Sequence, residues 1–197
     1  MQFATFHDLE DQSVFITGGG SGIGADLTKG FLSQGAKVTF IQRSNPEKFL
    51  AECEGKYKYE PTFIKCDVSH IEELKIALQT TAKEQGAVTV LVNNAANDTR
   101  HTLDEFTSQQ WDQTMEVNLK PHFFAAQEVV EGMKISGGGS IINFSSISYM
   151  MGNEGYPAYA TAKSAITGLT RSLARELGPH SIRVNAIMPG WVLTKRP

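Results

Sequence analysis

The sequence predicts an α/β fold in which a parallel sheet is doubly wound and carries helices on both faces. Three observations predict it. Short β-branched runs alternate with longer segments of helical periodicity from residue 13 to residue 187, the pattern of right-handed βαβ units. The run Val88-Thr89-Val90-Leu91-Val92 is nearly continuous in apolar character, as strands covered on both faces are. The first run ends in Gly18-Gly19-Gly20-Ser21-Gly22, where a helix begins. With 197 residues, 41% hydrophobic and 20% charged, the chain has the size and balance of one globular domain over 1–197. Such a chain buries a core without help from disulfides or metals.

The elements follow in order. A first strand covers 13–17. The next helix places Ile23, Leu27, Phe31 and Leu32 on one side and ends at Gly35. A second strand takes 36–41 and a third 62–66. Ser69 is expected to cap a helix whose apolar stripe is Ile71, Leu74, Ala77 and Leu78. The fourth strand is 88–92. One long helix is expected over 108–135, with Gly137-Gly138-Gly139 as its cap and turn, then a fifth strand over 140–144. A last helix spans 156–177, and a sixth strand, 183–187, closes the series.

Composition narrows the function. The formal net charge is −3, from 18 Lys and Arg against 21 Asp and Glu, which argues against binding nucleic acid through bulk positive charge. Cys53 and Cys66 lack any metal-ligand spacing, so neither a zinc site nor a disulfide framework is expected. The first residues reach His7, Asp8, Glu10 and Asp11 before any apolar run of signal-peptide length. No stretch approaches a membrane span. The expectation is a cytoplasmic protein acting on a small molecule.

Two constellations carry chemistry. In Thr17-Gly18-Gly19-Gly20-Ser21-Gly22-Ile23-Gly24, glycines let the backbone approach a ligand, and the helix start offers free N–H groups and a positive dipole end to a pyrophosphate. The plain alternative is a glycine-rich turn, and the clean strand before it favours the phosphate reading. Further on, Tyr159 and Lys163 stand four apart on a helix, hence on one face. A Tyr phenol titrates near 10, too high for a base at neutral pH, and a neighbouring ammonium would lower it. Ser146 lies at the carboxyl end of the fifth strand, where ligands border α/β sheets. Taken alone, Tyr and Lys at this spacing are a common surface pair.

With these residues in hand, the sequence resembles the short-chain dehydrogenase/reductase family over essentially its whole length. The matching pieces are Thr17-Gly18 to Gly24, Asp67-Val68, Asn93-Asn94-Ala95-Ala96, Val117-Asn118-Leu119, Ser145-Ser146, Tyr159 to Lys163, and Asn185 through Pro189-Gly190 to Thr194. The resemblance implies a Rossmann-like fold and a tetrad. Tyr159 would be the general acid/base and Lys163 would lower its pKa and hold the nicotinamide ribose. Ser146 would polarise the substrate oxygen, and Asn118 would support a proton relay through water. A kink in the helix is the other reading of Asn118.

For the cofactor, the resemblance implies NAD(P) bound by Gly18, Ser21, Gly22, Ile23 and Gly24. Asp67 and Val68 would lie against the adenine, Asn94 and Ala95 along the adenosine path, and Pro189, Gly190 and Thr194 at the nicotinamide. Gln42 stands where NAD-preferring members carry an acid, followed by Arg43. Without the carboxylate nothing repels a 2′-phosphate, and a guanidinium grips one. NADP is favoured over NAD.

Ala96 departs from the glycine usual in the family's NNAG motif. Asn93 to Asp98 with Arg100-His101, Gly155-Tyr156-Pro157 and Pro189 to Val192 look like bacterial aldose 1-dehydrogenases, which oxidise sugars to lactones. The polar loop of Asn97, Asp98, Arg100 and His101 would then suit a polyhydroxylated substrate, with Asn97 touching the sugar, or else be a solvated loop. Trp191 would stack on the sugar or else cover the core, and His101 alone reads as a surface histidine. A carbonyl or 3-oxoacyl reductase is the alternative, and an inactive nucleotide-binding protein the alternative from another class. Family members commonly pair through the two long helices, so a homodimer or homotetramer is expected. The family's substrate loop and last strand are expected to be missing from 1–197, leaving the site open and a sheet edge exposed.

Overall fold

β1 (Ser13–Thr17) is buried at every residue because it runs through the middle of a six-stranded sheet. The computed structural model describes residues 4–194. On one side of β1 lie β2 (Lys37–Gln42) and β3 (Thr62–Lys65). On the other lie β4 (Val90–Asn93), β5 (Gly139–Phe144) and β6 (Ile182–Ile187). Every pairing is parallel, as βαβ connections require. The fold class read from the sequence stands.

Side chains alternate along β1 with period two. Val14 and Ile16 join a core with Leu32, Val38, Phe40 and Phe49, under α1 (Gly22–Ser33) and α2 (Glu47–Cys53). Phe15 points to the opposite core with Leu74, Leu78, Leu91, Met133 and Ile141, under α3 (Ile71–Gln85), α5 (Lys120–Ile135) and the end of α7 (Pro157–Leu177). Phe15 and Phe40 are fully buried, each stabilising the fold by roughly 1.5–3 kcal/mol.

The structure corrects several boundaries. The helix expected over 108–135 is two helices, α4 (Ser108–Asn118) and α5, with Leu119 between them at φ −131° and ψ −56°. Pro121 is the cause. It has no N–H to bond back and its ring clashes with the carbonyl four residues earlier. Ser69 does not cap α3: His70 holds that position, and the Ser69 N–H and hydroxyl both donate to Asp67 Oδ1, at 3.0 and 2.8 Å. The short helices α2 and α6 (Ser148–Met151) were not anticipated. Gly138 N–H donates to Met133 O at 2.9 Å, closing α5 as the glycine turn predicted. Among the described residues, no helix is long and apolar enough to cross a membrane.

Register sets the stage for a site. Thr17 pairs with Asn93, and Asn93 with Asn143, so the carboxyl ends of β1, β4 and β5 lie level. Between β1 and β4 the strand order reverses, and crevices at such points take ligands.

Candidate active site

The turn after β1 is shaped for close approach. Gly18 has φ +70°, a conformation that favours glycine, and its N–H donates to Ile41 O at 2.7 Å. A Cβ on Gly24 would collide with the Gly18 carbonyl oxygen and stand 2.8 Å from Asn94 Nδ2. Gly24→Ala is therefore expected to destabilise the fold by about 1–3 kcal/mol, read as a lower urea midpoint with unchanged slope. Ser21, the N-cap of α1, makes no side-chain cap bond, leaving the N–H groups around Gly22, Ile23 and Gly24 at the helix start for another acceptor. Thr194 stands over this start, its Oγ1 3.5 Å from where a Gly22 Cβ would sit.

Asn94 and Ala95 hold the turn from the next strand. The Asn94 amide donates to Thr17 O and Gly18 O at 3.0 and 3.2 Å. The N–H groups of Asn94 and Ala95 donate to Thr17 Oγ1 at 2.9 and 3.0 Å. Gln42 Oε1 accepts the Gly20 N–H at 3.0 Å, and Gln42 Nε2 donates to Ser44 O at 2.9 Å. Arg43 is largely exposed, 3.8 Å from Asp67 Oδ2. Burial pushes the Asp67 carboxyl up, but the Ser69 N–H and hydroxyl, with Arg43 nearby, outweigh it and hold it below the ordinary value. The Val68 side chain packs in the core with Cys66 and Leu74, which leaves its backbone as the part that could meet an adenine.

Arg43, Asp67, Asn97, Asn118 and Tyr159 line one cleft of about 440 Å³. The break before α5 leaves Asn118 fully buried, with its amide spanning two elements. Nδ2 donates to Thr114 O and Asn97 O, both at 3.0 Å, and Oδ1 accepts the Asn97 N–H at 2.9 Å. The helix break at Leu119 meets the kink reading of Asn118, and its side chain stands in the cleft wall.

Tyr159 is half-buried, and burial pushes its phenol above the ordinary value while a hydrogen bond with Ser146 opposes the rise. Ser146 Oγ also accepts the Ser148 N–H at 3.1 Å. Lys163 lies in the interior, 1% exposed. Its Nζ donates to Phe144 O at 2.7 Å and sits 5.7 Å from the Tyr159 ring centre. Burial lowers its pKa to about 7. Desolvation dominates both groups in this structure, and the Lys163 Nζ is bonded to the Phe144 carbonyl.

Not every predicted residue converges on the cleft. Trp191 is 92% exposed and does not line it. Pro189 O accepts the Ile147 N–H at 3.3 Å, and a Gly190 Cβ would lie 3.4 Å from Ile147 Cδ1, so this pair anchors the segment leading to Thr194. Arg100 and His101, read as part of a polar loop, make contacts that were not foreseen. His101 Nε2 lies 3.2 Å from the Ala158 N–H, and the Arg100 guanidinium lies 3.9 Å from the Tyr156 ring centre. No local sequence pattern marks either, because each partner is more than fifty residues away.

Comparison with known proteins agrees with this geometry. The sequence profile described as short chain dehydrogenase matches residues 12–196. A probable galactose dehydrogenase of Rhizobium meliloti is 47% identical over 194 residues, covering 97% of this chain and 75% of the relative. A D-xylose 1-dehydrogenase of Caulobacter vibrioides is 46% identical over 197 residues, covering 100% of this chain and 78% of the relative. In the solved structures, the ligand-free aldohexose dehydrogenase of Thermoplasma acidophilum superposes with TM-score 0.86 at 32% identity, over 96% of this chain and 70% of that one. The L-sorbose reductase of Gluconobacter frateurii, complexed with NADPH and L-sorbose, does so with TM-score 0.90 at 28% identity, over 94% and 72%. Profile, relatives and sheet order converge, and this chain belongs to the short-chain dehydrogenase family, oxidoreductases acting on CH–OH groups with NAD(P).

Proposed function

We propose that the protein oxidises an aldose at C1 to its lactone, with NADP preferred over NAD. The observation that carries the reading is a hydroxyl-bearing pair, Ser146 and Tyr159, beside a polar cleft in a chain whose relatives at 46–47% identity are named as sugar dehydrogenases. The residues fit a dinucleotide. An uncapped α1 N-terminus stands ready for its pyrophosphate, and Arg43 projects into solvent at the end of β2. When bound, the nicotinamide supplies the hydride acceptor. Tyr159, ionised, takes the proton of the anomeric hydroxyl, and Ser146 holds that oxygen in place. Lys163 stands behind Tyr159, where its protonated form favours the phenolate and its Nζ would hold the nicotinamide ribose, and Asn118 fixes the Asn97 loop at the cleft wall. Gly18 through Gly24, Asp67, Asn94, Ala95 and Thr194 frame the nucleotide, and Asn97 faces the sugar.

The test is a panel of aldoses with NADP and with NAD in parallel, following the near-ultraviolet absorbance of the reduced nicotinamide. Turnover with aldoses supports the reading. Turnover only with ketones or 3-oxoacyl thioesters replaces it by a carbonyl or 3-oxoacyl reductase; a Thermotoga maritima relative 35% identical to this chain is named a 3-oxoacyl-[acyl-carrier-protein] reductase. Arg43→Ala is expected to raise KM for NADP about tenfold, the share of one solvent-exposed charge-assisted contact, and to leave KM for NAD nearly unchanged. A homodimer or homotetramer through α4, α5 and α7 is also proposed, since Trp111 and Phe123 are over two-fifths exposed there. Measured molecular mass in solution tests it.

A further inference from the structure

α7 begins with a backbone difficulty. Its N-cap, Tyr156, makes no side-chain cap bond, and Pro157 heads the helix without an N–H. The Ala158 N–H is the first donor that needs an acceptor, and Ala158 is 1% exposed, so water does not serve it. The acceptor is Nε2 of His101, 3.2 Å away and fifty-seven residues earlier. For Nε2 to accept, the proton sits on Nδ1, which faces Thr99 O at 3.2 Å. Phe106 stacks on the imidazole at 3.8 Å and 19°, fixing its plane. The His101 N–H donates to Gly155 O at 2.8 Å, so backbone and side chain both grip the segment entering α7.

The same loop is held at its other end. Asn97 exchanges two hydrogen bonds with Asn118, at 2.9 and 3.0 Å. Between these anchors, the Arg100 guanidinium covers the Tyr156 ring, and Tyr156 meets Tyr159 edge-on at 5.6 Å. Residues 97–101 therefore run as a strap from Asn118 to the first turn of α7.

We propose that His101 is a positioning residue: its imidazole, as acceptor for the Ala158 N–H, fixes the first turn of α7 and thereby the place of the Tyr159 hydroxyl relative to Asn118. Its kinetic consequence rests on the aldose reading above; its structural consequence does not.

Three variants test it: His101→Gln, His101→Asn and His101→Ala. A Gln amide reaches the place of Nε2, whereas an Asn amide reaches only that of Nδ1. Hydrogen exchange of the Ala158 amide, resolved by NMR, reports the cap directly, and kcat with the best aldose reports its consequence. The Ala and Asn variants are expected to exchange at Ala158 about tenfold faster and to lose about tenfold in kcat, with KM for the nucleotide unchanged. The Gln variant is expected to restore both. The proposal is overturned if Asn serves as well as Gln, if Ala keeps wild-type exchange and kcat, or if kcat falls with no change in exchange at Ala158. If even the wild type is silent on aldoses while exchange follows the Gln-over-Asn order, the sugar reading fails and the strap stands. Should the Ala variant not fold, the Gln and Asn pair still decides.

Discussion

Tyr159→Phe is expected to lower kcat for aldose oxidation by about 10²–10⁴-fold, the range for loss of a positioned acid/base, while nucleotide affinity stays within about threefold. The phenyl ring preserves the half-buried packing and removes only the hydroxyl that meets Ser146. Protein fluorescence on nucleotide addition reads the affinity. The pH profile follows from the same hydroxyl. Burial first, with the Ser146 hydrogen bond opposing it, holds the phenol above its ordinary value, so less phenolate is present at a given pH than in a free tyrosine. Oxidation needs the phenolate and is expected to climb into the alkaline range, whereas reduction of the lactone or a ketone needs the phenol and should hold toward neutral pH. The residual rate of Tyr159→Phe should lack this dependence on pH. A variant that keeps wild-type kcat, or the wild-type pH profile, removes Tyr159 from the chemistry.

The sheet and the first site elements were legible because their signals are local. Short, nearly continuous apolar runs announce strands covered on both faces, a glycine turn after β1 announces a helix start, and Tyr159 and Lys163 share a face by spacing alone. What escaped depends on partners distant in the chain or on competition between groups. Pro121 was visible, yet its consequence, a break at Leu119 that buries Asn118, competes with the periodicity on either side. Ser69 is a good cap by type, but the Asp67 carboxylate next door takes its N–H and hydroxyl. His101 reads as an exposed loop residue until folding brings the Ala158 N–H to it. Trp191 stands in solvent and does not cover the core. Lys163 is the instructive case: its face was foreseen, but the strength of its burial was not, because desolvation is a property of the packed interior rather than of spacing.

That burial carries the second large expectation. Lys163→Met should lose activity on the order of the Tyr159 variant and yet leave a fold at least as stable at neutral pH, measured without nucleotide. The sign follows from linkage. Lys163 has its pKa lowered from 10.5 to about 7 by burial, so between those values the unfolded chain binds a proton that the folded one does not. The wild type therefore gains stability as pH rises from 7 toward 10.5, by at most roughly 5 kcal/mol for a shift of that size. Below 7 the full penalty of the buried ammonium remains, offset in part by its 2.7 Å bond to Phe144 O. A Met side chain matches the aliphatic stem and carries no charge to desolvate. The advantage of Lys163→Met in urea unfolding should accordingly be largest near pH 7 and shrink toward pH 10. Parallel stability curves for the two proteins across that range, or a variant several kcal/mol less stable at pH 7, would show the ammonium to be a net support of the fold. The expected divergence would instead mark Lys163 as a residue kept against stability, in the place where a buried amine beside Tyr159 serves the reaction.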